Sequence, residues 1–153
     1  MKVLLIDTHP ALADRLHPLF DDTTGFELRI VETGEEALEA HRRFHFDVAV
    51  VDLQLAGPLN GIETAERLAQ IKPLHLVFSS NAYDPSVSQA ALLLQPTLML
   101  VKPVEANRLL VALQQLRDRQ LGHKGGAAAG RRSRSSRGGY RSWFNCPSLL
   151  LQG

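Results

Sequence analysis

The chain has 153 residues, 44% of them hydrophobic, which suits one domain with a real core and something appended. Its formal net charge of +1 hides an asymmetry: residues 1–121 carry 11 Lys and Arg against 16 Asp and Glu, whereas residues 122–153 carry the other 6 basic residues and no acid. One cysteine, Cys146, excludes an internal disulfide, and no apolar run approaches the roughly 18 residues of a membrane span or the ~7–15 of a signal peptide, so a cytoplasmic protein with no membrane partner is expected.

Lys2-Val3-Leu4-Leu5-Ile6-Asp7 reads as a buried strand that ends in an acid. Leu12, Leu16, Leu19 and Phe20 then fall at helical spacing, with Pro10 near the first turn. Glu27 to Val31 predicts a short second strand, and Ala37, Leu38, His41 and Phe44 mark the next helix. Val48-Ala49-Val50-Val51 is apolar without alternation, as expected of a strand buried on both faces, and it delivers Asp52 to its carboxyl end. Gly57, Pro58, Asn60 and Gly61 form the following loop.

Ile62, Ala65, Leu68 and Ala69 give a third helix, stopped by Pro73. Leu74 to Phe78 is a fourth strand ending in Ser79-Ser80. Asp84 is placed to cap a helix whose inward positions are Val87, Ala90, Ala91 and Leu94, and Pro96 ends it. Leu98 to Val101 is a fifth strand ending in Lys102-Pro103, and Ala106, Leu109, Leu110, Leu113 and Leu116 stripe the last helix. Strands alternating with helices predict an α/β doubly wound sandwich around a five-stranded parallel sheet.

Such a sheet gathers Asp7, Asp52, Ser79 and Lys102 along one edge, where open α/β sheets bind ligands. A carboxylate can act as a nucleophile toward phosphorus. The transferred group needs positive charge and hydrogen-bond donors around its oxygens. Mg²⁺ suits carboxylates and phosphate oxygens. Asp7 is placed to anchor the ion, Asp52 to accept the phosphoryl group, Lys102 to neutralise an oxygen and Ser79 to donate to another.

Leu4-Leu5-Ile6-Asp7-Thr8-His9-Pro10, Val50-Val51-Asp52-Leu53-Gln54-Leu55, Asn60-Gly61, Val77-Phe78-Ser79-Ser80 and Val101-Lys102-Pro103 occur in order and at strand ends. With these pieces, residues 1–121 resemble the receiver domain of two-component response regulators. The resemblance implies a flavodoxin-like (βα)5 fold with strand order 2-1-3-4-5. It implies that Asp52 takes a phosphoryl group from a sensor histidine kinase or phosphotransfer protein. It further implies that Mg²⁺ sits on Asp7, Asp52 and the Gln54 backbone carbonyl, and that Ser79 moves to carry the switch. A receiver is a phosphoacceptor rather than an enzyme, with at most slow Mg²⁺-dependent self-phosphorylation and self-dephosphorylation. The face from residues 84–120 is the implied surface for a downstream protein or a homodimer.

Three positions depart from the family pattern. Thr8 stands where a second acid is usual, leaving a weaker metal ligand. The loop between Asp52 and Asn60 is one residue longer than the common form. Met99 occupies the position of the usual switching aromatic and brings flexibility without a hydroxyl.

Taken singly, Asp7 or Asp52 is better explained by hydrogen bonds to loop N–H groups. Their joint placement is what points to chemistry. The histidines His9, His17, His41, His45, His75 and His123 show no ligand spacing. No Gly-x-Gly-x-x-Gly or Gly-x-Ser-x-Gly supports dinucleotide binding or hydrolase chemistry.

Residues 122–153 have no apolar period and are expected to be a disordered basic Gly/Arg/Ser-rich tail. The expected protein is a stand-alone phosphorelay receiver. One alternative is a degenerate receiver that binds its partner without phosphorylation. Another is a regulator binding nucleic acid through the tail's arginines and Tyr140, Trp143 and Phe144.

Overall fold

The strand β3 (Val48–Asp52) is inaccessible to solvent along its whole length. The computed structural model describes residues 1–20, 25–81 and 85–124. Around β3, the chain supplies β1 (Lys2–Ile6), α1 (Pro10–Leu16) with a 3-10 turn over His17–Leu19, β2 (Glu27–Val31) and α2 (Gly34–Phe44). Then follow α3 (Gly61–Ile71), β4 (His75–Ser80), α4 (Pro85–Leu93), β5 (Leu98–Val101) and α5 (Ala106–Lys124). The five strands pair in parallel in the order β2-β1-β3-β4-β5, the doubly wound flavodoxin-like sheet the sequence predicts.

Strand side chains alternate between two cores, as a period of two requires. Leu4, Ile6, Ala49, Val51, Leu76 and Phe78 pack under α2, α3 and α4, against Ala37, Leu38, Ala65, Leu68 and Ala91. Val3, Leu5, Val48, Val50 and Val77 face α1 and α5, meeting Leu12, Leu16, Leu109, Leu113 and Leu116. The crossovers thus put three helices on one face and two on the other, leaving the carboxyl ends of the strands open.

Local capping explains the helix that follows β3. Asn60 accepts from the Glu63 N–H, and the Glu63 side chain accepts from the Asn60 N–H, a reciprocal capping box. Gly61 is required because a Cβ there would overlap the Asp52 carbonyl oxygen and lie 2.8 Å from Leu53 Cα. The first turn of α3 therefore rests directly on the end of β3.

Several details differ from the sequence reading. Pro18 lies inside the stripe predicted from Leu12 to Phe20; α1 stops at Leu16 and the 3-10 turn leaves Leu19 and Phe20 half-buried. Phe44 is 39% exposed, lying beneath the guanidinium of Arg29 at 4.6 Å and near that of Arg43. Ala69 is exposed, and the inward place goes to Thr64, whose hydroxyl donates to the Asn60 carbonyl. α5 runs to Lys124, past the expected border at 121. The Asp84 cap, the Val87 side chain and the tail from residue 125 lie outside the described residues, as do Tyr140, Trp143, Phe144 and Cys146.

Candidate functional site

Each candidate side chain leaves a backbone position fixed by the sheet. Asp7 follows β1, and its N–H donates to the Val31 carbonyl at 3.2 Å. Asp52 ends β3 in register with Ser79 on β4, and the next N–H, that of Leu53, donates to the Ser79 carbonyl at 2.9 Å. Lys102 follows β5 and donates its N–H to the Ser80 carbonyl at 2.8 Å. Ladder hydrogen bonds thus carry four side chains from distant parts of the chain to one rim.

At that rim the Lys102 ammonium lies 2.6 Å from Asp52 Oδ2 and 4.0 Å from Asp7 Oδ1. Asp52 has no exposed side-chain surface, and its Oδ1 accepts the Gln54 N–H at 2.9 Å. Asp7 is 5% exposed, and its Oδ1 accepts the His9 N–H at 2.8 Å. Two buried carboxylates thus share one ammonium. Burying a charge without full compensation costs several kcal/mol or about that order, so this corner has an unmet demand for positive charge. Its donor set, two carboxylates beside an open cleft, fits a hard divalent cation.

The cleft measures about 360 Å³ and is lined by Asp7, His9, Arg15, Asn81 and Lys102 among others. Ser79 is buried beside Asp52. The Gln54 side chain accepts from Asn81 Nδ2 at 2.6 Å, tying the loop after β3 to the loop after β4. Thr8 is half-buried, with Oγ1 3.3 Å from His9 Nδ1. Met99 lies opposite Phe78 in the β4–β5 register and packs against the core under α2, α3 and α4, rather than at the rim.

The sequence reading did not single out His9 or Asn81 as site residues. A polar residue within two positions of a strand-end acid or serine was the available signal. Asp7, His9 and Asp52 each place a ligand atom within 4.8 Å of the other two. His41 proves to be wholly structural: its Nδ1 accepts the Phe46 N–H at 3.1 Å, so Nε2 carries the hydrogen toward the Lys72 carbonyl at 3.2 Å. Burial pushes its pKa below the usual 6.5, helped by the charges of His45 and Lys72 and opposed by the hydrogen bond to the Lys72 carbonyl.

No helix among the described residues is long and apolar enough to cross a membrane. Comparison with known proteins agrees with the geometry. The chain is 29% identical over 119 residues to the sensory transduction protein LytR of Staphylococcus haemolyticus, covering 76% of this chain and 45% of that one. It spans less than half the length of the curated relatives it matches. The signal receiver domain of a modulated diguanylate cyclase from Desulfovibrio desulfuricans G20 superposes with a TM-score of 0.67 at 30% identity, over 79% of this chain and 97% of that one. A CheY-like receiver domain protein from Methanospirillum hungatei shares the fold at a TM-score of 0.71 and 22% identity, over 80% and 97% of the two chains. The response regulator receiver domain model matches residues 3–114, most of the sheet and its helices, and the chain belongs to that family.

Proposed function

We propose that residues 1–124 form a phosphorylation-controlled switch in a phosphorelay, with Asp52 as the acceptor and residues 125–153 as an appended tail. One observation carries this reading: a fully buried carboxylate at the end of the central strand, held by an ammonium at 2.6 Å and beside a second buried carboxylate. A structural ion pair needs no second acid. A phosphoryl acceptor that works with a divalent cation does.

In the proposed step an Asp52 carboxylate oxygen attacks phosphorus on a phosphohistidine of a sensor kinase or phosphotransfer protein. The O–P bond forms as the P–N bond breaks, and the leaving imidazole nitrogen keeps the electron pair and takes a proton from solvent. Lys102 moves its ammonium from Asp52 Oδ2 to a phosphoryl oxygen, and the Ser79 hydroxyl donates to another. Asp7, Asp52 and the Gln54 carbonyl would hold Mg²⁺, with Thr8 a weak neutral addition, and the ion would neutralise charge on the transferring group. The chain remains a phosphoacceptor, turning over its own phosphate slowly.

The response is proposed to run through Ser79 into β4, α4 and β5. Leu92, Leu93, Val101 and Val111 are more than half exposed on α4, β5 and α5, which supports placing a downstream protein contact, or a second copy, on residues 84–120. Met99, half-buried and flexible, is the residue proposed to repack as β5 shifts. The rival reading, constitutive binding by a degenerate receiver, is favoured by Thr8 in place of an acid.

Mass measurement of the intact chain after acetyl phosphate and Mg²⁺ decides between them. One added phosphate on the wild type and none on Asp52→Asn supports the switch. No phosphate on the wild type supports the degenerate reading. Phosphate that persists in Asp52→Asn removes Asp52 as the acceptor.

A further inference from the structure

The residue that follows Thr8 changes the chemistry of the rim. His9 meets Asp7 at two points: its backbone N–H donates to Asp7 Oδ1 at 2.8 Å, and its imidazole Nδ1, 3.3 Å from Thr8 Oγ1, lies 3.5 Å from the same carboxylate oxygen. The first contact fixes where the His9 backbone sits. The second turns the ring toward the carboxylates. The ring nitrogen and the oxygens of Asp7 and Asp52 all lie within 4.8 Å of one another.

An ion with bonds of about 2.0–2.2 Å spans ligand atoms at most roughly 4.4 Å apart. The cluster therefore needs only a few tenths of an ångström of closure, by the same estimate. His9 can supply it, because its side chain is 75% exposed while those of Asp7 and Asp52 are 5% and 0% exposed. The two carboxylates are fixed and short of positive charge, and the mobile donor is a nitrogen. Ligand softness then decides which ion is held: oxygen donors suit Mg²⁺, whereas an imidazole adds affinity for first-row transition dications.

We infer that His9 is a ligand of this site, standing in for the acid that Thr8 replaces, and that the site consequently favours a first-row transition dication such as Mn²⁺ over Mg²⁺. The inference rests on the reading of Asp7 and Asp52 as a cation site. An exposed His9 that only closes the turn after β1 is the competing outcome.

The test uses the full chain and Mn²⁺ as the probe. Pulsed electron paramagnetic resonance should show nitrogen coupling to bound Mn²⁺ in the wild type and in His17→Gln, an exposed histidine on another element, but not in His9→Gln. Calorimetric titration with Mn²⁺ and with Mg²⁺ should give an affinity ratio that falls at least about tenfold in His9→Gln, since even the outer partners of metal ligands are worth about 10–100-fold. An unchanged ratio in His9→Gln, or bound Mn²⁺ with no nitrogen coupling in the wild type, overturns the inference. Neither result touches the acceptor reading, which stands or falls separately on phosphate uptake by Asp52 in Mg²⁺.

Discussion

The two sides of the sheet's open rim are built differently. On one side, β3 is fully buried, α3 begins with a capping box and rests on the Asp52 carbonyl, and both rim carboxylates belong to buried side chains. On the other, α4 places Ala91 in the core while Leu92 and Leu93 stand 58% and 80% exposed, and β5 ends in Val101 at 64% exposure. Full burial of such a side chain is worth about 1.5–3 kcal/mol. The first side has already gained that energy and is held in place by it. The second has left it available, so it can shift at low cost and reward a partner that covers it.

Substitutions that tax the two sides should separate them by size of effect. Phe78, on β4 beneath α2, α3 and α4, is the largest wholly inaccessible side chain among the described residues, and Phe78→Ala should cost about 3–5 kcal/mol in chemical denaturation. A loss near zero there would mean that the core is not packed as described. Lys102→Met leaves Asp7 and Asp52 buried without their shared cation and should cost about 3 kcal/mol, in the range for breaking a buried pair. Divalent cation should recover part of that loss, because it binds the folded state alone. A cost that ignores added Mg²⁺ would argue that the carboxylates are not a cation site.

His41 gives the packed side a pH dependence. Its folded pKa is depressed, chiefly by burial, so below the ordinary value of 6.5 the unfolded chain binds the proton that the folded chain refuses. The contribution is intact above pH 6.5 and is lost as pH falls from there toward the lowered folded value. The denaturation midpoint should therefore drop between pH 7 and pH 5 and drop less in His41→Gln; equal slopes would remove His41 from that account. The smallest effect belongs to the loose side: Leu93→Ser, at 80% exposure, should stay within about 0.5 kcal/mol of the wild type. A larger loss would show that α4 is held by contacts in solution that the structure does not contain.

The sheet was legible because its strands are short apolar runs that end in polar residues, as at Val48–Asp52, and its helices carry plain stripes. Asp7, Asp52, Ser79 and Lys102 could be placed at one rim for the same reason: parallel order converts four strand ends into one edge. What could not be read depended on contacts that only the folded chain makes. Thr64 hides its polarity in a bond to the Asn60 carbonyl, and Phe44 stays at the surface under Arg29 from a neighbouring strand. His41 is buried because the Phe46 N–H and the Lys72 carbonyl satisfy both ring nitrogens. His9 shows no ligand spacing in the sequence because spacing along the chain does not register a ring brought beside Asp7 by one turn and beside Asp52 by the sheet.

Hydrogen exchange of the chain with and without acetyl phosphate, in Mg²⁺, joins the two sides in a single reading. If phosphate on Asp52 is felt through Ser79, amides of Pro85–Val101 change their exchange while those of Val48–Asp52 stay protected, and Asp52→Asn shows neither response. Phosphate present on Asp52 with exchange unaltered across Pro85–Val101 would contradict that coupling.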